Sequence, residues 1–183
     1  MTANVAVLVG SLRKGSYSLM IAKALAALAP ATLKFKVIEI GNLPFYNEDT
    51  EANAPAEWTA FRTQLKASDA VLFITPEYNR STPAVIKNAI DVGSRPYGSS
   101  VWDGKPGAVI SSSPGAIGGF GANHHLRQSL VFLNVPALPF EVYLSGVNKL
   151  FDEQGQLNND GTKDFFNKFL KSFEAWVETN HKR

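Results

Sequence analysis

Residues 5–18 read VAVLVGSLRKGSYS. Val5–Val9 is an uncharged run of β-branched residues, alanine and leucine, the composition of a strand buried on both faces. Gly10–Ser18 then supplies two glycines and three serines around Arg13 and Lys14. From Ser18 to Ala29, Leu19, Ile21, Ala24, Leu25 and Leu28 recur at helical spacing, and Pro30 stops the pattern. The chain therefore opens as strand, small-residue loop and helix.

Four further segments repeat that strand character, with helical patterns between them. LKFKVIEI, Leu33–Ile40, alternates apolar and charged residues and reads as a strand near an edge. After the loop GNLPFYNEDTEANAP, Trp58, Phe61 and Leu65 mark a helix face. AVLFIT, Ala70–Thr75, is a second doubly buried strand, ended by Pro76. Pro83 stands at the first position of the next helix, whose apolar face is Val85, Ile86, Ala89 and Ile90. GAVISSS, Gly107–Ser113, is the fourth strand, and a helix is expected from about Asn123 to Leu133. VPALPFEVYL is the fifth strand, with two prolines that suit an edge or a bent entry. DEQGQLNNDG makes a polar hairpin-like loop, and Phe166, Phe169, Leu170, Phe173, Trp176 and Val177 form the core stripe of a last helix. Five strands alternating with helices predict an α/β protein, a three-layer sandwich around a parallel sheet of order 2-1-3-4-5, in one domain over residues 1–183.

Composition removes several function classes. The chain has 183 residues and a net charge of +2, with basic residues scattered, so charge makes no case for nucleic acid. There is no cysteine, which excludes disulfides and thiolate chemistry and fits a reducing cytoplasm. The N-terminal apolar run has no basic leader and is too short to span a membrane, so no membrane insertion is expected. Only three histidines occur, and His124 and His125 have no carboxylate at ligand spacing, so no metal site is expected. Both are expected to open a helix, one of them facing solvent. No Gly-x-Ser-x-Gly elbow is present, which weakens a serine hydrolase.

In a sheet of this order, ligands bind beyond the carboxyl ends of the strands, where strand order switches. Three loops meet there. The first, GSLRKGSYS, has serine at position 16 where a triphosphate loop needs lysine, and Leu12 where a dinucleotide loop needs glycine. What remains is a helix N-terminus with Ser11, Ser16 and Ser18 as hydroxyl donors and Arg13 as a charged one, suited to one phosphate monoester. Capping by Ser16 or Ser18 with a solvated Arg13 accounts for the same residues. The second loop, PEYNRSTP, offers Tyr78 to cover a flat ring and Asn79 to read its edge, with Glu77 and Arg80 placed to pair. The third, SSSPGAIGGFG, lets a backbone approach a planar ligand closely. Tyr97 and Trp102, in the long loop Ser94–Pro106, serve either a ligand or subunit contact or plain packing.

With GSLRKGSYS, TPEYNRSTPAVIKNAID, SSSPGAIGG and HLRQSLVFLNV in this order, the chain resembles the NAD(P)H-dependent FMN reductases of flavodoxin-like fold, including the bacterial chromate and quinone reductases. The resemblance implies non-covalent FMN, with NADPH or NADH as electron donor. It implies hydride transfer to quinones, flavins, chromate or azo and nitro acceptors, and no catalytic side chain beyond the flavin. It carries the phosphate loop onto Ser11, Arg13 and Ser18, with Leu12, Lys14, Gly15, Ser16 and Tyr17 between them. Pro76, Glu77, Tyr78 and Asn79 match its flavin-ring loop, and Ser113 and the residues after it, Gly115 among them, its third wall. Ser18 stands where asparagine is frequent, and Arg80 where an aromatic residue is common. A homodimer or homotetramer is implied as well. Two alternatives stand beside this reading: a flavodoxin-type FMN electron carrier, against which the charge of +2 speaks, and a flavin-free module for another phosphate ligand.

Overall fold

Along each inner strand of this protein, successive side chains enter two different cores. In the computed structural model, which describes residues 2–181, β1 (Ala3–Val9) sends Val5, Val7 and Val9 to one face of the sheet and Ala6 and Leu8 to the other. β3 (Ala70–Pro76) likewise divides Leu72 and Ile74 from Val71 and Phe73. Side chains on a strand alternate, so a strand covered on both faces must be apolar at every position. That is why these runs carry no charge.

The sheet has five parallel strands in the order β2-β1-β3-β4-β5, as expected, with β2 at Leu33–Val37, β4 at Gly107–Ser112 and β5 at Val142–Leu144. α1 (Tyr17–Leu28) and α5 (Asp160–Asn180) cover one face, packing Ile21, Leu25, Phe166, Phe169 and Phe173 into the first core. α2 (Ala56–Lys66), α3 (Ala84–Ser94) and α4 (Phe120–Phe132) cover the other through Trp58, Phe61, Ile86, Ile90 and Leu126. Asn159 caps α5 by accepting from the Thr162 N–H at 2.8 Å. The hairpin-like loop before it closes through an antiparallel Phe151–Leu157 bridge, with Asp152 Oδ1 accepting from the Gln154 and Gln156 N–H groups.

Among the boundaries that differ from expectation, four have a plain physical cause or consequence. β2 ends at Val37 because, past the Ile38 N–H bond to the Val7 carbonyl at 2.9 Å, the chain turns through Glu39 and Gly41. Ile38 and Ile40 stay buried, but under α2 and α3. β5 holds three residues, not ten: Pro136 and Pro139 interrupt the approach, leaving one parallel bridge at Gly107–Ala137. Pro83 is the N-cap of α3, one place before the first helical residue. α4 starts three residues early, at Phe120, because Gly119 takes φ 79° and ends the loop there, which puts His124 and His125 in the second turn. Trp102 is fully buried, with its indole N–H on the Ile90 carbonyl at 3.0 Å, whereas Tyr97 is exposed. No helix among the described residues is long and apolar enough to cross a membrane.

At the other edge of the sheet, Asp69 ties three parts of the chain together. Its carboxylate accepts from the Asn4 N–H at 2.7 Å and from the His181 ring at 3.0 Å, joining β1 and the end of α5 to the start of β3. Burial works to raise the Asp69 pKa, but these bonds outweigh it and hold the carboxyl below its ordinary value. The charged form therefore contributes stability above the unfolded pKa, about 3.9, and loses it as pH falls through the lower folded value. Asp69→Asn is expected to lower stability by about 1–2 kcal/mol at pH 7. In urea melts the gap to wild type should close below about pH 4; a gap unchanged at pH 3 would show that the charge of Asp69 is not what matters.

Candidate functional site

The chain leaves β1 toward one face of the sheet and β3 toward the other, since α1 and α3 pack into opposite cores. Between these neighbouring strands a crevice opens at the carboxyl edge. Its floor is set by Gly10. The Gly10 N–H makes the last bond to β3, on the Ile74 carbonyl at 2.8 Å. A Cβ at Gly10 would lie 2.8 Å from Ile86 Cδ1 and 3.2 Å from Pro76 Cδ, so glycine lets the first loop rest against the second and α3 without displacing the Ile86 side chain.

The first loop then rises into α1. Ser16 is the N-cap and its Oγ accepts from the Leu19 N–H at 3.1 Å, so the capping reading of this serine is correct. Its hydroxyl hydrogen is still free to donate. Among the described residues, the N–H groups of Tyr17 and Ser18 make no hydrogen bond. With the helix dipole they leave a positive, donor-rich end. Arg13 lies over the Tyr17 ring at 5.1 Å and donates to the Gly15 carbonyl, curling the loop around that end. Leu12 is exposed and leans on Gly41; Lys14 is exposed too.

The second loop is a tight turn. Tyr78 and Ser81 exchange backbone bonds of 3.0 and 2.9 Å, and between them Asn79 and Arg80 take φ of 50° and 64°. Positive φ at both central residues is a type I′ turn. Asparagine tolerates this region; arginine there costs about 1–2 kcal/mol. The turn is secured from below by Glu77. Its Oε2 accepts from the Ala122 N–H at 3.2 Å in the first turn of α4, and its Oε1 lies 3.4 Å from Arg80. Glu77 therefore caps a helix in another loop and does not line the crevice. Gly121 makes this possible, because a Cβ there would stand 2.6 Å from the Arg80 carbonyl oxygen.

The third loop begins at Ser113, whose N–H donates to the Leu144 carbonyl at 3.0 Å and whose carbonyl accepts from Val147 at 3.2 Å. Its Oγ accepts from the Gly115 N–H at 3.0 Å, a local turn. The three loops enclose a cleft of about 190 Å³. Six expected residues line it: Ser11, Arg13, Tyr17, Ser18, Pro76 and Tyr78. Pro114, the residue after Ser113 in the third wall, lines it as well, and so do Ser112 and Val147, which were not expected. The serine and proline flank Ser113 in the same motif. Val147 carries no signal in sequence and arrives only through its bond to Ser113. Gly15, Ser16, Glu77, Asn79, Ser113 and Gly115 belong to the same loops but do not line the cleft. His124 bonds Tyr143 Oη at 2.9 Å and His125 bonds Ser81 Oγ at 3.0 Å, both away from the cleft lining. Burial, and then the Glu141 carboxylate that accepts its proton, push the Tyr143 phenol up to about 12.

A sequence profile described as NADPH-dependent FMN reductase matches residues 3–149. The chain belongs to this family. It is 60% identical over 179 residues to a quinone reductase of Pseudomonas putida, covering 97% of this chain and 96% of that one. It is 42% identical over 178 residues to a 2-hydroxy-1,4-benzoquinone reductase of a Burkholderia species, covering 97% of each. Among solved structures it superposes on the flavoenzyme NAD(P)H:(acceptor) oxidoreductase FerB of Paracoccus denitrificans with a TM-score of 0.93. That pair is 41% identical, over 99% of this chain and 100% of the other.

The residues present fit the family's flavin mononucleotide. A phosphate needs several N–H and O–H donors and no acceptor in its way; the start of α1 offers unspent N–H groups beside the buried Ser18 hydroxyl. A ring needs flat walls; half-exposed Tyr78, Pro76 and Pro114 supply them. A larger groove of about 840 Å³ runs between α3 and α4 and shares no residue with the cleft. Size favours the groove, but the donor chemistry belongs to the cleft.

Gly121→Ala tests the contact between the second loop and α4. Alanine adds about 1 kcal/mol of helix propensity, while a 2.6 Å approach to a carbonyl costs about 1–3 kcal/mol. The variant is expected to be less stable in urea melts and to bind FMN more weakly. A more stable variant with native FMN affinity would mean that the turn yields freely.

Proposed function

We propose that the protein is an FMN-dependent NAD(P)H oxidoreductase whose acceptors are quinones, acting in the cytoplasm. The observation that carries this reading is the convergence of a donor-rich helix start with the two small-residue, ring-facing walls of the Pro76–Tyr78 and Ser112–Pro114 loops in one cleft. The absence of cysteine fits a reducing compartment. FMN, when bound, would supply the hydride-transfer chemistry between NAD(P)H and the acceptor.

The chain's own residues bind, orient and exclude. Ser11, Ser18 and the N–H groups of Tyr17 and Ser18 would hold the phosphate, with Arg13 beside them to add a charge-assisted bond. Tyr78, fixed by the Asn79–Arg80 turn and the Glu77 cap, would pack against the ring system.

We assign the α3–α4 groove to a second copy of the chain, in a homodimer or homotetramer. At its rim Phe132 is 88% exposed, beside Val131 at 73%. The Lys87–Asp91 ion pair on α3 offers both charges, which a two-fold axis would match to each other. Sedimentation velocity is expected to give a dimer or larger, with Phe132→Glu moving it toward monomer; a monomeric wild type would remove this assignment.

Mixing the FMN-loaded protein with NADPH without oxygen should bleach the flavin absorbance, and added quinone should restore it. Persistent colour after NADPH would leave an electron carrier instead. Arg13→Ala should weaken FMN binding by about 1.5–3 kcal/mol in titration of the apoprotein. An unchanged dissociation constant would reject the role of Arg13.

A further inference from the structure

A chain of side-chain hydrogen bonds runs inside the protein from α4 to the loop after β4. Asn123, in the first turn of α4, is fully buried. A buried amide is costly unless its polar atoms are all used. Here Nδ2 donates to Ser111 Oγ and to the Val142 carbonyl, each at 3.2 Å, and Oδ1 accepts from Arg127 Nε at 2.8 Å. Ser111 Oγ, also buried, donates onward to the Gly118 carbonyl at 2.9 Å. Arg127 Nη1 anchors the other end on the Leu138 carbonyl at 2.9 Å.

Gly118 is where the third loop comes down onto the sheet. A Cβ on Gly118 would lie 2.7 Å from the Tyr143 carbonyl carbon, and one on Gly119 would lie 3.0 Å from Ser111 Cβ. Both glycines have positive φ, 57° and 79°, so the loop sits directly on β4 and β5 with no side chain between. The other end of the loop, Ser112 and Pro114, lines the cleft. Ser111 and Asn123 do not line it. They hold the far end of the 112–119 loop, opposite the end that lines the cleft.

We propose that Asn123, acting through Ser111, is a positioning residue for the FMN site. It holds the 112–119 loop at the height that sets how Ser112 and Pro114 stand against the flavin. This rests on the FMN reading given above. Apolar packing could keep α4 on the sheet, but only a group with donors and an acceptor can fix the Gly118 carbonyl, through Ser111, relative to both β5 and α4.

The test uses FMN titrations of the apoprotein and the midpoint potential of the bound flavin. Ser111→Ala removes one oxygen and little volume; Asn123→Ala removes the whole amide. Each is expected to weaken FMN binding about tenfold and to move the potential to a more negative value. The double variant should bind no more weakly than Asn123→Ala, because both residues act in one chain. A purely structural role would lower the melting temperature and leave the dissociation constant and potential of the folded variants at wild-type values; that result overturns the proposal. If Asn123→Ala does not fold, Ser111→Ala decides by the same two readouts. A wild-type protein that fails to bind FMN overturns the functional reading and this inference together, whereas normal wild-type binding with unchanged variants overturns this inference alone.

Discussion

At the top of β1 the Gly10 N–H reaches the Ile74 carbonyl at 2.8 Å, and there the ladder between the two central strands stops. Beyond that bond the two chains part to opposite faces of the sheet, one into α1 and the other toward α3. Backbone N–H groups that have lost their ladder must find another acceptor or stay free. Those at the start of α1 stay free, and the helix dipole makes them a place for an anion. The approach at Gly10 holds the second loop against the first, so the ring-facing wall stands beside the phosphate end. A side chain there would push Pro76 and Ile86 away and open the crevice.

The cleft is kept in shape by groups that do not line it. Glu77 caps α4, Ser16 caps α1, and Ser113 closes a local turn on Gly115. Asn79 and Arg80 accept left-handed backbone to make the Tyr78 turn. Each spends a polar side chain or a strained dihedral on loop geometry. Such costs are ordinary where a loop must present backbone to a ligand, and helices packed on both faces of the sheet supply the stability to carry them.

Much of this was legible in the chain itself. Val5–Val9 and Ala70–Thr75 had to be interior strands, since nothing but burial on both faces explains so long an apolar run in a protein of this composition. The serines and arginine of the first loop pointed to a single phosphate, and Tyr78 to a flat ligand. Less legible were roles that depend on a distant partner. Glu77 belongs to the ring loop and also caps α4, because its Oε2 meets the Ala122 N–H across 45 residues. Trp102, in a polar loop, is core, because Gly93 leaves room for its indole against α3. Val147 has no motif at all.

The sequence by itself determined the strand and helix order, the doubly buried sheet and the three loops of small and hydroxyl residues, because burial periodicity, proline and glycine are local properties. It could not bound β5, since a three-residue strand after two prolines is delimited only by its pairing with Ile110–Ser112. Tertiary structure alone decided which loop residues face the cleft and which hold it from behind. Direction is set by contacts such as Gly10 on Ile86, Gly121 on the Arg80 carbonyl and Asn123 on Ser111, and these join positions far apart in the chain.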